Sequence, residues 1–240
     1  MRGPVRCPVR LIAVGLALTQ VQAMCYYSPP PVLTHGQGAD TLGPGRMAAG
    51  AEVAWGAAGS WWKASNLGDP EITTGTMGAA RWRIGAARSL DLGLVGGIGP
   101  EHTYVVAPEV KWRLLQVAPA GEEGAPGFHA ALVSGLGVGT TSESQHAFLA
   151  PYTGLLASGG IRVIQMYSGL RIAASETLGN GTDDLTLYPV LAYGLQLRPM
   201  ERFWLFAEAD LVGGLTATDF GDSAIMGSVS AGATITFGGP

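Results

Sequence analysis

The chain has 240 residues, 13% of them charged and 47% hydrophobic, with 37 glycines and only two cysteines. A disordered chain would be more charged and less apolar, and a disulfide framework or cysteine metal site needs more than Cys7 and Cys25. The formal net charge of −4 argues against a nucleic-acid partner. Beyond the N-terminus no run reaches the roughly 18 to 20 continuous apolar residues of a membrane helix.

Arg2, Arg6 and Arg10 precede the apolar run "LIAVGLALT" (11–19), which is followed by "VQA" (21–23). A basic start, a short apolar core and small residues before a cut describe a secretory signal peptide over residues 1–23, with cleavage after Ala23. Its removal takes the net charge from −4 to −7, because it carries three arginines and no acid. Cys25 poses a choice between a lipidated first residue and an ordinary one. A lipoprotein signal usually has Leu three positions before the cysteine and Gly, Ala or Ser just before it, whereas Gln22 and Met24 stand there. Residues 24–45 are rich in Pro and Gly without periodicity, which predicts a periplasmic linker or tail.

From residue 46 the pattern changes. Ten segments alternate apolar with small or polar residues: 46–57, 77–87, 90–98, 103–115, 127–138, 147–157, 161–174, 185–197, 202–213 and 224–237. Their lengths suit a tilted membrane strand of roughly 9 to 11 residues better than a soluble strand of about 5 or 6. Connections after the second, sixth and eighth segments are short, while those after odd segments are mostly long, as in 58–76 and 175–184. This alternation resembles a small bacterial outer-membrane β-barrel: all-β, a closed antiparallel up-and-down transmembrane barrel of about ten strands over 46–237. The resemblance implies residence in the cell outer membrane with short turns in the periplasm. It also implies outer-membrane lipid and lipopolysaccharide as surroundings.

Side-chain parity gives the barrel an inside. Glu208 and Asp210 in "RFWLFAEADLVGGLT" share one face, opposite Leu205 and Leu211. Glu52, Arg81, Arg83, Asp91, Glu109, Lys111, Arg113 and Arg171 likewise oppose the large apolar side chains of their own segments. These ten are the expected lumen-lining charges, near neutral in sum. Trp55, Tyr104, Trp112, Phe148, Phe203 and Phe237 near segment ends suggest an outward aromatic girdle. Pro108, Pro151 and Pro189 recur at one depth, which predicts a local bulge at each and places Pro151 outward and Tyr152 inward.

A ten-strand lumen is closer to side-chain-filled than to an open porin. The leading expectation is therefore a non-enzymatic structural or docking subunit of an envelope complex such as export, adhesion or motility machinery. The alternative is a narrow channel for ions or small solutes. An outer-membrane enzyme is the remote third. Omptin proteases also have ten strands, and His102, His146, Asp183, Asp184, Asp219 and Asp222 fall near the expected outer rim. No Asp–x–Asp or Asp–x–His pair recurs there, so that resemblance stops at strand number. Trp61, Trp62 and Lys63 in the longest loop serve either as headgroup anchors or as a surface for other envelope proteins. No cofactor or metal site is expected; "GNGTDD" (179–184) lacks the full spacing of a calcium loop.

Overall fold

A computed structural model describes residues 36–59, 72–99, 103–117, 127–141, 146–178, 185–216 and 224–238. Ten strands among them run β1 Met47–Gly59, β2 Ile72–Ala87, β3 Leu90–Gly99, β4 Thr103–Val117, β5 Phe128–Thr141, β6 His146–Gly160, β7 Ile164–Leu178, β8 Thr186–Met200, β9 Phe203–Thr216 and β10 Ala224–Phe237. Each pairs antiparallel with its chain neighbours, and β1 pairs with β10 from Met47↔Phe237 to Gly59↔Ile225, closing the barrel without an edge. The signal region, Cys25 and Trp61–Lys63 lie outside the described residues.

Three of the even strands, β2, β6 and β8, end in tight connections. Arg88 and Ser89 join β2 to β3, and Glu201 and Arg202 join β8 to β9. Between β6 and β7, Ile161 and Ile164 exchange backbone hydrogen bonds of 2.8 and 3.2 Å around a two-residue loop, so β7 starts three residues later than its periodicity suggests. β2 begins at Ile72, five residues before the expected start. Register shifts occur at Gly85/Ala87, Arg113/Leu115 and Leu197/Met200, all near the short-turn end. Bulges concentrate at barrel rims because the extra residue lets a strand bend as it leaves the ladder.

The prolines behave differently from expectation. Register is the same before and after Pro108, Pro151 and Pro189, so none sits in a bulge. Pairing simply lapses toward the following strand at 107–108, 150–151 and 188–189, while each proline keeps its pairing with the preceding strand. The missing N–H is thus absorbed by a two-residue gap in one ladder.

Alternation is cleanest in β4, where Thr103, Val105, Ala107, Glu109 and Lys111 are buried and the residues between them are exposed. Outside, Val53, Trp55, Leu94, Tyr104, Trp112, Leu170, Tyr193 and Leu211 form an apolar belt. Phe148 is a correction: it is 2% exposed and points inward, four residues from Tyr152 and so on the same face. It belongs to the packed interior rather than to the girdle.

Four inward rings each stand directly across from a glycine. Phe148 faces Gly139 and Tyr152 faces Gly135; Tyr167 faces Gly194 and Phe206 faces Gly232. A Cβ on any of these glycines would overlap the ring. Part of the glycine content is therefore space for aromatic filling in a narrow barrel.

Candidate functional site

The interior has two layers. Toward the loop end, Val105, Phe148 and Tyr188, each third in its strand, pack with Ala150, Val190 and Val212. Toward the middle and the short-turn end the interior is polar. Glu52, Asp91, Glu109, Lys111, Arg171, Glu208 and Asp210 are all buried there, and Arg81 and Arg83 are half-buried. Arg113 stands apart from these. Its guanidinium reaches the exposed β2–β3 turn and donates to the Arg88 carbonyl at 2.8 Å, so it serves the rim rather than the lumen.

The charges are organised around a piece of the chain itself. Residues 36–42, expected from sequence as part of a linker, run inside the barrel, with Gly36, Gln37, Gly38 and Ala39 buried, and 43–45 lead out to the rim. The segment is fastened at the rim, where Gly45 N–H donates to Gly85 O (3.0 Å) and Gly85 N–H donates to Arg46 O (2.8 Å). Thr41 Oγ1 donates to Arg88 O at 2.8 Å. Deeper in, backbone donors at every third residue meet strand side chains. Leu42 N–H donates to Asp91 Oδ1 (3.1 Å), Ala39 N–H to Ser158 Oγ (3.0 Å) and Gly36 N–H to Glu208 Oε2 (3.0 Å). A buried segment with no ladder partner needs such bonds, because an unpaired buried N–H is costly.

Lys111 takes the opposite role and donates. Its Nζ reaches Gln37 Oε1 and Gly38 O, each at 3.1 Å, and also Asp40 O. Gln37 Nε2 in turn donates to Glu109 Oε1 at 2.9 Å, while Tyr152 OH donates to Glu109 Oε2 at 2.9 Å. Tyr167 OH donates to Glu208 Oε2 at 2.7 Å, and Ser228 Oγ to Asp210 Oδ2 at 3.1 Å. Ion pairs in the layer include Arg83–Asp91 at 3.4 Å, Lys111–Asp91 at 3.8 Å and Arg81–Glu52 at 3.9 Å. The Arg171 guanidinium lies 5.4 Å from the centre of the Tyr152 ring.

Gly36 is required where it sits. Its φ of +54° is in the left-handed region, and a Cβ there would collide with the Glu52 carboxylate and the Arg81 guanidinium. A cleft remains beside the segment, lined by Gly36, Gly50, Glu52, Arg81, Arg83 and Phe206.

Sequence reasoning missed the segment, Tyr167 and the tyrosine–carboxylate bonds. The available signal was "GQGAD" (36–40), where small residues alternate with polar ones. Chemically, the layer holds and neutralises the segment. His129 is buried, and no group of three metal-binding side chains occurs among the described residues. Of the outer-rim residues weighed for catalysis, His102, Asp183, Asp184, Asp219 and Asp222 lie outside the described residues, as does the side chain of His146.

A closed ten-strand antiparallel sheet, apolar outside and charged within, is an outer-membrane β-barrel. No protein-family model matches the chain, and no curated protein matches it. Among solved structures, it is similar to the outer-membrane protease OmpT of Escherichia coli, at 11% identity and a TM-score of 0.44, over 83% of this chain and 100% of that one. Neisserial surface protein A matches at 12% identity and a TM-score of 0.40, over 80% and 99%. The translocator domain of autotransporter NalP from Neisseria meningitidis matches at 15% identity and a TM-score of 0.36, over 85% and 91%. At these values the fold assignment rests on the chain's own strand order.

Proposed function

We propose that the protein is a non-enzymatic structural or docking element of the bacterial outer membrane, its barrel closed from within by residues 36–42. The observation that carries this is the occupied lumen. Six strand side chains, Asp91, Glu109, Lys111, Ser158, Glu208 and Tyr152, hold the segment or its direct partners, and an apolar layer lies above them. An open water path needs a polar lining along its length, and Phe148, Tyr188, Val190 and Val212 oppose one. In this reading the short turns face the periplasm, and the outer loops, with Trp61, Trp62 and Lys63, meet other envelope proteins.

The cleft beside Glu52 and Arg81 favours a second reading, a narrow channel for ions or small solutes. Planar-bilayer recording of the purified barrel separates the two. The structural reading expects no steady conductance. Stable open-channel steps, abolished when Glu52 and Arg81 are replaced by Gln, would overturn it.

A further inference from the structure

Among the described residues the exposed basic side chains collect at one end. Arg46 precedes β1, Arg88 lies in the β2–β3 turn, Arg162 in the β6–β7 turn and Arg202 in the β8–β9 turn, with the half-buried Arg198 just before it in β8. With Arg113 bonded to Arg88 O, these form a ring around the short-turn mouth. Among the described residues Glu201 is the exposed acid at that end, and it is taken by Arg162 at 3.0 Å. No carboxylate is paired with Arg46, Arg88 or Arg202 among the described residues. In sequence the connections at the other end hold acids with Lys63 as their lone Lys or Arg, while the β4–β5 connection at the collar end carries Glu122 and Glu123.

We propose that this arginine collar binds the phosphates of anionic phospholipids in the leaflet at the short-turn end. The proposal rests on the membrane reading of the barrel and adds a specific lipid to it. One feature favours a lipid headgroup over a soluble anion. The arginines alternate with exposed apolar side chains in the turns themselves: Ile161 is 65% and Val163 52% exposed on either side of Arg162, and Met200, 69% exposed, ends β8 two residues before Arg202. Side chains of this kind do not favour bulk water; an interface accepts both, with the stems in hydrocarbon and the guanidinium at the phosphate. A ring of positive charge in that plane attracts anionic lipid over zwitterionic lipid.

The test uses the full chain folded into phosphatidylcholine vesicles, with spin-labelled phosphatidylglycerol or spin-labelled phosphatidylcholine as probe. Wild type is expected to enrich the phosphatidylglycerol label at its surface at least about twofold over the phosphatidylcholine label. The preference should fall toward one in the triple variant Arg88→Gln, Arg162→Gln, Arg202→Gln. It should also fall for wild type in about 0.5 M salt, where surface charge is screened. The salt arm keeps the proposal falsifiable if the triple variant folds poorly. Equal enrichment of the two labels by wild type, or a preference unchanged by both salt and substitution, would overturn the collar. A chain that never gives a compact, heat-modifiable band in vesicles would instead overturn the membrane reading, and the collar with it.

Discussion

The Lys111 ammonium stands 3.8 Å from the Asp91 carboxylate, and the two grip the internal segment together. Lys111 donates to acceptors of residues 37, 38 and 40, and Asp91 accepts from the backbone of Leu42. Both groups are about 1% exposed, so neither has bulk water as a substitute partner. Replacing Lys111 with Met leaves Asp91 with a weaker set of cations and strips three acceptors of their donor. Breaking one side of a buried pair costs about 3 to 5 kcal/mol, and Arg83 at 3.4 Å will recover part of it. The expected outcome is a clearly lower heat-modifiability midpoint on a semi-native gel, with faster proteolysis within residues 36–46. An unchanged midpoint and unchanged cleavage would contradict the grip.

Glu208 provides a second hold, farther along the segment. One oxygen, Oε2, accepts from Tyr167 OH and from Gly36 N–H. Glu208→Leu leaves both donors without that acceptor in a buried site, at about 1 to 3 kcal/mol each. The midpoint should therefore fall. Were Glu208 lipid-facing, the same change would remove a charge from hydrocarbon and raise it. The sign alone decides between these orientations.

The ring-over-glycine pairs make a prediction about coupling. Gly194→Ala pushes a methyl group into the Tyr167 ring across the β7–β8 ladder. Such overpacking costs about 1 to 3 kcal/mol. In a Tyr167→Leu background the added methyl meets a smaller side chain, so the cost of Gly194→Ala should shrink markedly. A double-mutant cycle on the midpoint measures this. Strict additivity would mean that the glycine is not there for the ring.

The barrel was legible because strand periodicity is local. The two-residue spacing of Glu208 and Asp210 is enough to put them on one face, and the burden of a charge against lipid decides which face that is. The segment at 36–45 was not legible for the opposite reason. It has no period, and its partners Asp91, Glu109, Lys111, Ser158 and Glu208 are 49 to 172 positions away in sequence. A Gly-rich stretch held by distant side chains looks the same in sequence as a loose tether. Phe148 shows a different failure: closeness to a strand end suggested the girdle, yet its parity with Tyr152 already carried the right answer. The prolines show a third, since a missing N–H can be met by a bulge or by a short lapse in pairing, and composition does not distinguish them.

The central claim is that residues 36–42 occupy the lumen. Ala39, fully buried with its N–H on Ser158, is the most direct probe. In a Cys25→Ser background, Ala39→Cys should resist a membrane-impermeant maleimide while the barrel is folded, whereas Arg46→Cys at the exposed rim should react quickly. After heat unfolding the two should label alike. Equal labelling of the two positions in the folded barrel would place the segment outside the lumen and contradict the account.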